Sequence, residues 1–168
     1  MSETRDAAAP ESRGAGLTHL DSSGQARMVD VSGKDVSARA ARASGRVRLS
    51  AAAVAALRAG DVPKGDALAV ARIAGIQGAK RTSELIPLCH PIGIAGVNVD
   101  LEVQDAAVLI RARVKTADRT GVEMEALTAV ALAGLALIDM VKAVDPAAVL
   151  GEIMVESKTG GMSGDWRR

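Results

Sequence analysis

The sequence predicts an α+β protein, an antiparallel sheet with helices packed on one face. Three observations carry this. Residues 97–115 hold two runs of period-two alternation separated by a short turn, as a hairpin requires. Residues 122–144 form one long apolar stretch that ends at Asp145-Pro146. Strand-like and helix-like segments are mixed along the chain, with no internal repeat and no linker.

Each element has its own signal. Residues 1–16 are Ala, Pro, Ser, Gly and charges without periodicity, and read as a disordered leader before a single domain spanning 17–168. Residues 26–31 and 36–49 are short segments with valines and arginines, separated by a Ser32-Gly33-Lys34-Asp35 turn. The second of them is expected to be a strand, although Ser37–Ala43 alternates poorly. Ser50 caps an alanine-rich helix that ends near Gly60, and Asp66 caps a second that runs to about Lys80. In the second helix Leu68, Ile73 and Ile76 recur at roughly helical spacing. Pro87 and Pro91 then push Ile86 and His90 toward extended backbone, so Ile86–Pro91 is no regular helix.

Further on, Val97, Val99, Leu101 and Val103 alternate with Asn98, Asp100 and Glu102. Across a Gln104–Ala107 turn, Val108, Ile110, Ala112 and Val114 alternate with Leu109, Arg111, Arg113 and Lys115. Thr120 or Gly121 opens the long helix from Val122 to about Val144. Ile153 and Val155 mark a last strand, which leads into Lys158-Thr159-Gly160-Gly161-Met162-Ser163-Gly164.

Composition narrows the function. The chain has 168 residues, 48 % hydrophobic, with one Trp and no Phe or Tyr. Roughly a fifth of it is alanine. Such a chain buries about 70 % of its unfolded surface, here with small aliphatic side chains that let elements approach closely. Nucleic-acid platforms that stack bases on aromatic rings are excluded. A net charge of +1 argues against a polyelectrolyte partner. The lone Cys89 rules out an intramolecular disulfide and fits a reducing compartment. The N-terminal residues lack an apolar core and carry Glu3, Asp6 and Glu11, unlike targeting peptides. Leu127–Val144 contains Asp139 and Lys142 and reads as a buried helix. A cytoplasmic protein without membrane or nucleic-acid partners is expected.

Three constellations could carry chemistry. Cys89-His90 sits between two prolines, but neighbours in extended chain point to opposite faces, so His90 is poorly placed to activate the thiol. One Cys and two His without paired spacing do not fit zinc, and no metal site is expected. What remains is a rigid binding segment, or a packed cysteine beside an ordinary histidine.

Asp139 and Lys142 share a face late in the long helix. They read as an acid–base pair or as a structural ion pair. Glu123, Met124 and Glu125 open the same helix, where acidic residues also suit the dipole. Glu125 and Asp139 lie about 21 Å apart along the axis, too far for one small ligand. If both act, a site joining two subunits is the better reading. Lastly, Lys34, Lys64 and Lys158 lie in glycine-containing turns that suit an anion, without a P-loop or dinucleotide-binding pattern.

Together these segments are similar to the MoaC family of cyclic pyranopterin monophosphate synthases. The matching stretches are LTHLDSSGQARMVDVSGKD, KGDALAVARIAGIQGAKRTSELIPLCHP, GVEMEALTAVALAGLALIDMVKAVD and ESKTGGMSG, in family order over nearly the whole chain after the leader. The resemblance implies a ferredoxin-like α+β fold and a homohexamer built from dimers. It implies conversion of 3′,8-cyclo-7,8-dihydro-GTP, made by a radical-SAM partner enzyme, into cyclic pyranopterin monophosphate and diphosphate. This is a step of molybdenum cofactor biosynthesis.

By the same resemblance the catalytic aspartate is Asp139, with Lys142 beside it, and Lys64 and Lys158 serve phosphate and reaction centre. Leu88, Cys89, His90, Met124 and Glu125 bind substrate, with Lys34 and Lys80 as further lysines. The chemistry implied is acid–base catalysis without a cofactor. The competing readings are a nonenzymatic nucleotide-binding sensor and a structural oligomerisation domain.

Overall fold

The computed structural model describes residues 23–168, so the expected leader lies outside the described residues. The elements run β1 (Ser37–Arg48), α1 (Ala51–Ala59), α2 (Ala67–Lys80), α3 (Thr82–Leu85), β2 (Ile94–Val103), β3 (Ala107–Asp118), α4 (Glu123–Val141), β4 (Val149–Thr159) and β5 (Trp166–Arg167). All pairings are antiparallel, in the order β2-β3-β1-β4-β5. Apart from the two-residue β5, this is the split βαβ arrangement of a ferredoxin-like fold.

The hairpin forms because its two apolar rows coincide. Val97, Val99, Leu101 and Val103 stand opposite Val114, Ala112, Ile110 and Val108, and the Gln104 amide closes the turn on the Ala107 carbonyl at 2.8 Å. That row faces the helices. The other face carries Asn98, Asp100, Arg111 and Arg113, all exposed.

β1 lies between β3 and β4. Its core-facing positions are Ala41, Ala43, Gly45 and Val47, which explains its weak apolar pattern. α4 packs so closely there that a Cβ on Gly45 would lie 2.6 Å from Val130 Cγ1.

Both helix starts match their caps. Ser50 Oγ accepts from the Ala53 amide at 3.4 Å, and Asp66 Oδ1 from the Ala69 amide at 2.9 Å. Of the three large residues expected on the packing face of α2, Leu68 and Ile76 are half-buried against the core and Ile73 is not. Its buried residues are Ala67, Ala71, Gly75, Gly78 and Ala79, whereas Ile73 is 61 % exposed. The partner helix is the cause: a Cβ on Gly75 would lie 2.8 Å from the Ala129 carbonyl oxygen of α4. Close approach selects small residues for the centre of the contact and leaves Leu68 and Ile76 at its edge.

α4 ends at Val141, short of the expected Val144, because the Val144 and Asp145 amides both turn back onto the Val141 carbonyl. It is long and apolar enough to cross a membrane by length and composition. Ala126, Ala129, Val130, Ala133 and Leu137 are nevertheless fully buried, and α4 packs on both the sheet and α2. The short α3 has no counterpart in the sequence reading. Residues 27–36 form no strand and run as an irregular strap, with the expected turn closed by Lys34 N to Val31 O at 3.0 Å.

Candidate active site

The N-terminal end of α4 carries the first half of the site. The proline-flanked segment turns where the Cys89 amide meets the Ile86 carbonyl at 3.1 Å. Leu88, Cys89 and His90 thereby come against Met124 and Glu125, and the strap closes the space with Val29, Val31 and Lys34. The cavity they line measures about 320 Å³. Glu125 is only 4 % exposed. Burial, reinforced by the neighbouring Glu123 carboxylate, pushes its carboxyl up to about 7, against a hydrogen bond from its own amide. Burial, with the Glu125 charge beside it, also raises the Cys89 thiol. That thiol is therefore no activated nucleophile, in line with the sequence reading.

Because the folded-state value of Glu125 lies above its ordinary 4.5, the folded protein holds this proton more tightly than the unfolded chain. Glu125 thus lowers stability progressively as pH rises from about 4.5 to about 7. Glu125→Gln removes the buried charge. Thermal melts are expected to show a higher Tm than the parent at pH 8, by about 3 °C or more. At pH 4, below both values, the two proteins should melt together.

A second cavity, of about 250 Å³, adjoins the first and shares Lys34, Thr120, Gly121 and Glu123 with it. Lys34, Arg39, Arg119 and Lys158 converge on this space. Arg39 Nε donates to the Asp118 carbonyl at 3.0 Å. Lys158 Nζ donates to Ser163 Oγ at 2.7 Å and lies 3.5 Å from Glu123 Oε1. Val122, at the start of α4, makes no side-chain cap, so the helix's first turn is open toward the cavity. Gly161 adopts φ +80, and a Cβ there would strike Arg39 Nη1 at 2.2 Å. The glycine pair after Lys158 thus lets the loop close over the guanidinium. Four cations against one carboxylate suit a polyphosphate.

The other end of α4 carries a different group. Asp139 Oδ1 lies 2.7 Å from Lys142 Nζ and Oδ2 lies 2.7 Å from Lys64 Nζ, in the turn before α2. Hydrogen bonds from Lys142 first and Lys64 second hold this carboxyl down at about 2. Asp139 is about half exposed, so the cluster is open to solvent.

The fold therefore gathers Lys34, Leu88, Cys89, His90, Met124, Glu125 and Lys158 at one end of α4 and Lys64, Asp139 and Lys142 at the other. Fourteen residues of continuous helix separate Glu125 from Asp139, about 21 Å. Lys80 closes α2, exposed, and lines neither cavity. Arg39, Arg119 and Ser163 are the residues that the sequence reading missed. No local pattern marks the two arginines; only the fold brings β1, the β3–α4 turn and the glycine loop together.

Known proteins share this chain's sequence over the same regions. The sequence model of the MoaC family matches residues 28–161. A cyclic pyranopterin monophosphate synthase of Streptomyces avermitilis is 68 % identical over 152 residues, 90 % of this chain and 89 % of the relative. One from Nocardioides is 68 % identical over 155 residues, 90 % of this chain and 95 % of the relative. A mycobacterial relative, cyclic pyranopterin monophosphate synthase 2 of Mycobacterium tuberculosis, is 52 % identical over 164 residues, 98 % of each chain. With both clusters of α4 and the Leu88-Cys89-His90 segment inside the matched span, the chain belongs to the MoaC family.

Proposed function

We propose that this enzyme is a cyclic pyranopterin monophosphate synthase, which converts 3′,8-cyclo-7,8-dihydro-GTP into cyclic pyranopterin monophosphate and diphosphate for molybdenum cofactor biosynthesis. The observation that carries this is the pair of adjoining cavities at the start of α4, one walled by apolar groups and a buried carboxyl, the other by four cations. A heterocycle joined to a triphosphate fits that pair. Met124 and Glu125 would orient the ring beside the Leu88-Cys89-His90 wall. Lys158, Lys34, Arg39 and Arg119 would hold the phosphates and stabilise the charge on departing diphosphate.

Opening and reclosing the ring needs proton transfers, and these fall to the Asp139 cluster. Asp139 is ionised at neutral pH and can accept a proton; Lys142 and Lys64 can donate one. Since that cluster lies about 21 Å from Glu125 along α4, each site takes its proton-transfer group from a neighbouring protomer. This supports an intersubunit site in a homohexamer built as a trimer of dimers. Lys80 would act across the same kind of contact. The substrate would come from a radical-SAM partner, and the assembly would work in the cytoplasm without a cofactor.

Incubation with the cyclised nucleotide, followed by chromatography of products, tests the assignment. Diphosphate and the pterin are expected in equal amounts. Folded, assembled protein that releases neither would overturn it.

A further inference from the structure

We propose that His90 is a positioning residue, a latch that seats the 29–34 strap and with it Lys34 at the joint of the two cavities. This rests on the reading of those cavities as the substrate site, but goes beyond it by giving the His90 ring a partner in the protein's own backbone.

His90 Nε2 lies 2.7 Å from the Val29 carbonyl oxygen. A carbonyl has no proton to offer, so Nε2 must carry the hydrogen and donate it. While the strap is seated, that nitrogen is not a free base. The neutral Nε2–H ring and the imidazolium make the same bond, so the latch holds in either charge state.

The strap needs such a latch because it has no ladder of its own. Between Val29 and Lys34 it is a tight local unit, with the Ser32 amide on Asp30 Oδ1 at 2.8 Å and the Lys34 amide on the Val31 carbonyl at 3.0 Å. Among the described residues, two side chains fasten this unit to the rest of the fold by its backbone carbonyls. His90 grips Val29 at one end, and Arg119 Nε donates to the Lys34 carbonyl at 2.9 Å at the other. Lys34 lines both cavities, so its ammonium is placed only as well as these two grips allow. The titratable groups around the latch are Asp30 on the strap, Cys89 beside it, and Glu123 and Glu125 on α4. None of them bonds to His90.

Glutamine separates a latch from a proton carrier, since its amide reaches a carbonyl as Nε2 does but exchanges no proton near neutrality. Tryptic cleavage after Arg27 and Lys34, followed without substrate, is expected to accelerate roughly tenfold or more in His90→Ala. In His90→Asn, too short to reach Val29, it should do the same, and in His90→Gln it should return toward the parent rate. With the cyclised nucleotide, His90→Ala should raise KM roughly tenfold or more. His90→Gln should recover most of that loss with an unchanged pH profile. Equal cleavage rates in all four proteins would overturn the latch, as would a large loss of kcat, relative to the parent, shared by the alanine and glutamine variants. If the parent protein turns nothing over, the functional reading fails, and the cleavage rates still decide the latch.

Discussion

Asp139→Asn is expected to lower kcat by about 10²- to 10⁴-fold, the range general acid–base groups supply, with nucleotide binding retained within a few fold. Asparagine keeps the shape but can neither accept a proton nor neutralise the two ammonium groups, each 2.7 Å from the carboxylate. The carboxyl sits at about 2, below its ordinary 3.8, so its stabilising contribution is complete above about pH 4. That contribution is lost only as pH falls toward 2. At neutral pH Asp139 is always ionised, and any pH dependence of turnover there belongs to other groups, Glu125 foremost.

Asp139 is about half exposed and packs no core, so the variant's melting temperature should stay close to the parent's. Stopped-flow or discontinuous turnover, with melting and binding in parallel, checks all three. Full turnover in the variant would leave Asp139 a structural ion pair. A nonenzymatic sensor would bind equally well in both proteins and turn over in neither.

Much of the fold is legible in the sequence because alternation and caps are local. Residues 97–115 announce their hairpin, and Ser50, Gly60 and Asp66 bound helices that form where they say. β1 is harder to read because its core face is Ala41, Ala43 and Gly45, chosen for proximity to α4 and not for apolar bulk. α2 shows the same effect in reverse. Leu68 and Ile76 lie half-buried at the edge of the core and Ile73 points outward, since the centre of the contact is Gly75 and Gly78 against α4. In a chain with one Trp and no Phe or Tyr, size is a poorer guide to burial.

The site divides along similar lines. The Asp139–Lys142 pair is readable as neighbours on one helical face, and the proline frame marks Cys89 and His90. Lys64 joins Asp139 from 75 positions away, and Arg119 reaches Lys34 across 85. No spacing rule encodes such contacts. For Lys64 the resemblance to the family implies a role; for Arg119 nothing does.

In the proposed enzyme the two ends of α4 serve different sites, each completed by a neighbouring protomer. Glu125→Ala and Asp139→Ala should each be nearly inactive alone. Mixed in equal amounts under conditions that exchange subunits, they should form hybrid pairs in which one site carries both substitutions and the other carries neither. Random mixing then predicts recovery to about a quarter of the parent's turnover. If every site were built from one protomer, each would keep one defect, and turnover in hybrids verified by mass would stay at the level of the single variants. That result would contradict the account.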